Sequence, residues 1–514
     1  MASTFMGISI ANRGLAASQA GLAVTSNNMS NVNTTGYSRQ VVSQTAVGPA
    51  AVYNSSYVGS GVSVDSIDRV RSFRLDQKYW QENSSLGGWE VKSNYLQEVE
   101  TVINGTDADG FSATMEEFYA ALEDLSADPS STSARSVVLE TGNSVCAYLN
   151  DTAERLNQLR TDLNSDVKTA VEQINSYSKQ IADLNQQITV AASSGASTNE
   201  LEDARDALLD KLSALVDMEV TQNNVGTSAD GKTLTTLTVT VNGETLVNGN
   251  KAKQLECYTI ADGSTENGLY GIRWADTGKE FDPGDTGQVK AYLDLRDGTG
   301  TGSDYKGIPY YTSQLDEFAR TFAKAFNEGI YKDGTASEYS GHSSGVGLDD
   351  STGIRFFSYD GLSTEELMAS GSTTEAVYQN ITASNISLSK DVAADVNKIA
   401  AASASGESGN NEVISDLISI CQDTKMFSSG SPEDFYNSIV STLGTASSYA
   451  QRQYKLQTSI TDYIDNSRSS VSGVSTDEET VNLTKYQSAY EASAQVISVW
   501  DDIYKTTINM VSSD

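Results

Sequence analysis

The sequence predicts a mainly α chain with an inserted β domain, an α+β multidomain protein. Its N- and C-terminal thirds would form one elongated coiled-coil or helix-bundle rod around a β-rich middle. Three observations carry that expectation. Only five of 514 residues are proline, about a fifth of the ordinary share, so long helices run without a break. Apolar residues recur at spacings of three and four through both ends and much of the interior, the period of a helix with one buried face. Between residues 217 and 300 the texture turns to Gly, Thr, Asn and Asp, with alternating stretches that suit half-buried strands. The length corresponds to roughly three to four domains, and 38% apolar residues with 40 glycines is an ordinary globular composition.

Residues 1–64 hold no Asp, Glu, Lys or His, and only Arg13 and Arg39 carry charge. In a chain with 68 acids and 34 bases, such a stretch suits an interface better than bulk water. Within it Ile8, Ala11, Leu15, Ser18, Leu22, Thr25 and Met29 form a heptad seam that can pack on another helix. From Asn143 to Ser194 there is neither Gly nor Pro. There Leu149, Leu156, Leu163, Val167, Ile174, Ile181 and Ile188 belong to a stripe interrupted only by Arg160, predicting a helix roughly 65–75 Å long. Gly195 ends it, and Leu201, Leu208, Leu212 and Leu215 mark a shorter helix that can fold back. Leu234 to Val241 reads as a strand, Asn242-Gly243 as a type I′ turn and Thr245 to Val247 as the returning strand.

Leu315, Phe318, Phe322 and Phe326 predict another short helix. Residues 335–395 are Ser- and Gly-rich with short apolar runs such as Phe356-Phe357, and are assigned to the β region or to a second small one. A third long stripe runs through Phe435, Ile439, Ala446, Tyr449, Leu456, Ile460 and Tyr463. Near the C-terminus, Ser475 with Glu478, or Thr476 with Glu479, would form a capping box. It opens a helix whose seam is Leu483, Tyr486, Tyr490, Ser493, Ile497, Trp500 and Tyr504. The simplest way to bury both terminal seams is against each other. The expected domains are therefore a terminal coiled coil (1–70 and 475–514), a helical rod (71–216, 293–334 and 397–474) and β-rich outer structure (217–292 and 335–396).

Charge and chemistry narrow the function. A net charge of −34 opposes binding to phosphate backbones and argues against nucleic acid as a partner. No apolar run approaches the 18 residues of a membrane span, and no basic-then-apolar secretory signal opens the sequence; by that alone it reads as cytosolic. Cys146, Cys257 and Cys421 are too scattered for a disulfide framework or a zinc knuckle. Gly226 to Thr233 matches a phosphate-binding loop, but a strand rather than a helix follows it, so a hairpin turn is expected. Gly341-His342-Ser343-Ser344-Gly345 matches a nucleophile elbow. His342 is the only histidine and sits beside Ser343, so a surface loop is the better reading. Asp107, Asp109, Gly110 and Glu116 fit part of a calcium loop whose first ligand position would be Gly105, so an acidic turn is expected. Asn54, Asn83, Asn104 and Asn380 lie in glycosylation sequons. No catalytic, cofactor-binding or metal-binding set is expected.

The termini carry a resemblance. Ser26-Asn27-Asn28-Met29-Ser30-Asn31-Val32-Asn33-Thr34-Thr35-Gly36-Tyr37-Ser38-Arg39-Gln40 closely resembles the N-terminal signature of the bacterial flagellar axial family. Gly473 to Glu479, with Asn482-Leu483 and Gln487 to Tyr490, resembles its C-terminal signature. Asp203-Ala204-Arg205-Asp206, Leu293 to Asp297 and Ile399 to Ser403 are similar to interior segments. Thr35 departs from a frequent proline. The resemblance covers roughly two-thirds of the chain, outside the β region, and is nearest to the branch that joins hook to filament.

It implies a structural protein of the flagellum at the hook–filament junction, exported unfolded by the type III apparatus and residing outside the cell. The implied partners are copies of itself in a ring of about eleven subunits, hook protein, a second junction protein and an export chaperone. Asn27, Asn28, Asn31, Asn33, Gly36, Tyr37 and Arg39 become the expected assembly motif. Ile8, Leu15, Leu22, Met29, Leu483, Tyr486, Tyr490, Ile497, Trp500 and Tyr504 become the assembly seams. The alternatives are another axial protein, or a secreted binding or enzymatic domain carried on 217–396. Independently of the resemblance, terminal helices of about 30 residues are marginal alone and would fold as neighbours bury their seams.

Overall fold

A computed structural model describes residues 6–48, 50–53, 56–104, 110–227, 233–261, 268–332 and 334–511. The chain opens with helix α1 (Met6–Ser30), followed by β1 (Gln40–Ala46), the small hairpin β2 (Ala50–Tyr53) and β3 (Ser56–Val58), and β4 (Val62–Arg69), which pairs antiparallel with β1. Then come α2 (Phe73–Asn104), α3 (Phe111–Ala127), the 62-residue α4 (Thr132–Ser193) and α5 (Asn199–Leu215). At 1.5 Å per residue α4 is about 93 Å long, the spine of the molecule.

It begins eleven residues before the expected start, with the Ser131 hydroxyl accepting from the Ala134 N–H at its N-cap. Gly142, read in sequence as a boundary, lies inside it. A Cβ there would come within 2.8 Å of Phe356, so the glycine is a notch for an aromatic ring. Helix α2 also runs through a pair that reads as a turn, Gly87-Gly88; a Cβ on Gly87 would lie 2.4 Å from the Ala214 carbonyl of α5. In both places close packing keeps glycine in a helix despite its cost of roughly 1 kcal/mol.

The β region is a four-stranded antiparallel meander of β5 (Met218–Thr227), β6 (Thr233–Val241), β7 (Glu244–Asn248) and β8 (Lys251–Ala252), followed by the hairpin β9 (Leu255–Thr259) and β10 (Tyr270–Trp274). Asn242 and Gly243 turn at φ of 44° and 79°, both positive as a type I′ turn requires. The inner faces of these strands share one core with Trp80, α5 and the second half of α4. Gly226 and Thr233, the ends of the phosphate-loop match, lie in paired strands β5 and β6; residues 228–232 lie outside the described residues.

The second core joins α3, the first half of α4, α6 (Gln288–Asp297), α7 (Ile308–Glu328), α11 (Glu412–Gln422) and the start of α12 (Pro432–Ser472). It is dominated by aromatic rings. Phe111 stacks on Tyr436 at 3.9 Å, Phe427 on Phe435 at 4.4 Å, and Phe318, Phe322, Phe326, Phe356 and Phe357 fill the centre.

Residues 335–396 depart from expectation. Instead of outer β structure they form two three-residue strands, β11 (Phe357–Tyr359) and β12 (Ile386–Leu388), and three short helices, α8 (Thr364–Ala369), α9 (Thr374–Tyr378) and α10 (Lys390–Ala394). Phe356, Phe357, Tyr378, Ile381 and Ile386 are fully buried in the rod's own core. Their short apolar runs, separated by Ser and Gly, fill space between helices rather than build a sheet.

Helix α12 has a capping box of Ser431 and Asp434 with Pro432 in its first turn and packs along α2. The third apolar stripe holds only at its start. Phe435 and Ile439 are buried, whereas Tyr449, Leu456 and Tyr463 lie on the surface. The last helix, α13 (Thr476–Val511), returns to pack against α1.

Candidate assembly site

Helices α1 and α13 form an antiparallel hairpin that contributes no residue to either core. The register is set by glycine. Cβ atoms added to Gly7, Gly14 and Gly21 would come within 2.2 Å of Trp500, 3.0 Å of Ser493 and 2.5 Å of Tyr486. One series rises by seven while the other falls by seven, so Trp500, Ser493 and Tyr486 of α13 sit in a row of notches on α1. The expected α13 seam faces inward: Leu483, Tyr486, Tyr490, Ile497, Trp500 and Tyr504 are half-buried while most of the helix is exposed. On α1 the contact is centred one residue earlier than expected. Ile8, Leu15, Leu22 and Met29 are half-buried flanks, and Ala11, Ala17, Ser18, Gly21, Val24, Thr25 and Asn28 form the buried face. Small residues there let the two backbones approach.

The motif that follows α1 builds a corner. The buried Asn28 amide donates to the Gln40 carbonyl (2.9 Å) and accepts from the Gln40 N–H (3.0 Å), standing in for a strand neighbour. Tyr37 donates to the same Asn28 oxygen (2.7 Å). Burial first, then the charges of Asp203, Glu200 and Glu479, push the Tyr37 pKa up to about 12, which keeps that proton in place. The Asn31 amide donates to the Asn27 carbonyl and side-chain oxygens, both at 3.0 Å, closing the end of the helix. Asn33 is exposed in the turn. Gly36 turns at φ 82°, a left-handed conformation that glycine adopts without steric cost.

Three separate sequence motifs meet at this corner. Ser38 donates its N–H and hydroxyl to Asp203 of α5 (2.9 and 2.7 Å). Arg39 donates its N–H to the Ser472 carbonyl (2.8 Å) and pairs with Glu478 (2.7 Å). The expected C-terminal capping box is therefore half made. Ser475 accepts from the Glu478 N–H, while the Glu478 carboxylate is drawn to Arg39.

Beneath it lies a partly buried ion network. Arg69 reaches Glu202, Asp203 and Asp206 (2.7, 2.6 and 3.0 Å), Arg71 reaches Asp76 and Asp206 (2.9 and 3.4 Å), and Arg468 of α12 reaches Asp76 and Asp210 (3.0 and 2.9 Å). Burial pushes the Asp206 carboxyl up, but Arg205, Arg69 and Arg71 outweigh it and hold the group below the ordinary carboxylate range. Burial raises Asp210 despite Arg468. The network ties β4, α2, α5 and α12 into one joint under the hairpin. Sequence reading found the motifs but not their meeting; the signal available was four arginines spread among carboxylates in a chain short of cations.

Elsewhere the nucleophile-elbow match is not the surface loop expected but a short turn packed into the core. His342 is fully buried, Nδ1 against the Ile354 carbonyl (2.8 Å) and Nε2 accepting from the Ala400 N–H (2.9 Å). Ser343 donates instead to Glu328 (3.0 Å). Asp107 and Asp109 lie outside the described residues, Gly110 precedes α3, and Glu116 is exposed within it. Asn54 also lies outside them; the Asn83 amide is buried against the Asp210 carbonyl and Ser213. Among the described residues no group of three or more His, Cys, Asp or Glu side chains is placed to hold a metal, and no helix is long and apolar enough to cross a membrane.

Comparison with known proteins matches residues 96–357 to the flagellar hook-associated protein FlgK helical domain. Residues 8–37 match the flagella basal body rod protein family and 466–510 the flagellar basal body rod FlgEFG protein C-terminal region. Flagellar hook-associated protein 1 of Bacillus subtilis (strain 168) is 31% identical over 525 residues, covering 99% of both chains. Its Escherichia coli (strain K12) namesake is 26% identical over 574 residues, covering 98% of this chain and 99% of that one. The solved flagellar hook junction protein FlgK from Burkholderia pseudomallei has the same fold, with a TM-score of 0.58 at 16% identity over 78% of this chain and all of that one. With a helical-domain match spanning half the sequence and a relative aligned end to end, this chain belongs to the flagellar hook-associated protein 1 family.

Proposed function

We propose that this chain joins hook to filament as a structural subunit, and that its terminal hairpin is the part that enters the assembly. One observation carries the reading. The inner face of α13 is occupied by α1, yet Val496, Val499 and Ile503 form a second apolar stripe about a third of a turn away, and all three are exposed. A helix with two apolar faces fits a bundle in which it meets two neighbours, and among the described residues α1 is the one helix packed along it. The hairpin's other helix carries a single charge, Arg13, which donates to the Ser60 carbonyl. Little charge would be desolvated when copies close around it.

On this reading the subunits form a ring of about eleven copies, with hook protein on one side and a second junction protein on the other. The subunit travels unfolded through the type III apparatus, with a chaperone on its C-terminal helix, and works outside the cell. The test is co-sedimentation of the full chain with isolated hooks, beside a chain lacking residues 1–64. The full chain should pellet and the truncated one should stay in the supernatant. Pelleting of both would show that the hairpin is not the docking element.

A further inference from the structure

The heptad stripe of α12 does not end where the core ends. Phe435, Ile439 and Leu443 are buried, but Tyr449, Leu456 and Tyr463, each seven residues from the last, are 48%, 54% and 73% exposed. They form an apolar ridge about 20 Å long on the exposed side of α12. Tyr449 is braced edge-on against Trp89 of α2 at 5.5 Å. Exposed Arg452 and Lys455 flank the upper half of the ridge; among the described residues neither takes part in an ion pair. We infer that this ridge is a side-to-side contact for a second copy of the same chain within the assembled junction. The inference rests on the assembly reading above.

Three features select that occupant. First, α12 ends at Ser472 and α13 begins at Thr476, so the ridge continues along the chain from the proposed docking hairpin. A neighbour held by the hairpin would lie alongside it. Second, the chain carries two acids for every base (68 against 34), so an unpaired Arg and Lys beside an apolar ridge suit the surface of another copy. Third, three side chains cover far less than the roughly 1,600 Å² of a standard stable interface. The ridge is too small to pair free subunits. It adds affinity once the hairpins have raised the local concentration of neighbours.

The test places a photo-reactive benzophenone at residue 456, through Leu456→Cys and a maleimide reagent, in the full chain bound to isolated hooks. Leu456 is exposed, so the label leaves the core untouched; the unsubstituted chain controls for labelling of the native cysteines. The expected result is a covalent dimer of this chain, at least roughly tenfold more abundant in the hook-bound fraction than free in solution. Bound subunits that cross-link only to hook protein, or not at all, would overturn the inference and leave the hairpin reading standing. Failure of the chain to bind hooks would overturn both.

Discussion

At the scale of single residues, the glycines of α1 decide how the terminal helices meet. An isolated helix is weakened by Gly7, Gly14 and Gly21, yet each faces a side chain of α13 that would otherwise collide. Gly21→Leu should therefore destabilise the hairpin by about 1–3 kcal/mol through overpacking against Tyr486, although leucine is the better helix former. Hydrogen exchange over residues 6–30 and 476–511 would report it as faster exchange in the variant, with the rod unchanged. His342 gives the rod an acid limit. Burial lowers its pKa from 6.5 to about 4, so the unfolded chain takes up a proton at a higher pH than the folded chain. Its contribution is complete above pH 6.5 and is lost as pH falls from there through 4, amounting to about 3 kcal/mol. Denaturant titrations between pH 7 and pH 4 should show that loss, and His342→Gln, which does not titrate, should show a smaller one. These glycines stand in the sequence at a plain heptad spacing, but glycine reads as a helix breaker unless its partner is known. Placing the seam on Ile8, Leu15 and Leu22 followed side-chain size, and here the absence of a side chain makes the contact.

At the scale of elements, legibility followed periodicity. Helix α4 and the inner face of α13 could be read directly, because Leu163, Val167 and Ile174, or Tyr486, Ser493 and Trp500, repeat without competing signals. Helix α2 fell inside the stretch expected to be helical rod, but its bounds were not legible, because its Gly87-Gly88 pair interrupts the helical pattern. Residues 335–396 were misassigned because short apolar runs between serines fit strands and gap-filling loops equally well. Stripe and burial separate in α12, since periodicity reports an apolar face without saying whether its partner lies in the same chain. The α1–α13 hairpin stands outside both cores, so damage to it should stay local. Ile497→Asp puts a carboxylate into the half-buried seam and should open the hairpin, abolishing hook binding. The main calorimetric transition should stay within a few degrees of the parent. A collapsed transition would mean that the terminal helices belong to the rod's folding unit.

At the scale of the whole molecule, a rod of two cores and an acidic surface is joined to an almost uncharged α1 through one corner. That corner was recognisable only as separate motifs. Ser38 and Asp203 are 165 residues apart and Arg39 and Glu478 are 439 apart, and no local pattern announces that either pair touches. Asp203 accepts from Ser38 and Arg69 in a mostly buried setting, while Arg69 keeps Glu202 and Asp206, so Asp203→Asn should cost about 1.5–3 kcal/mol through weakened charge-assisted hydrogen bonds. The loss should appear as a separate, earlier loosening of residues 31–40 in hydrogen exchange.

The most direct test of the central claim concerns the second face of α13. Val499→Asp with Ile503→Asp changes two exposed side chains (58% and 46%) and leaves the glycine-notched seam alone. If copies and neighbours meet through this face, the double variant should keep its helicity and melting temperature yet lose hook co-sedimentation by roughly tenfold or more. Pelleting equal to the parent chain would contradict the claim and remove this second stripe from the assembly.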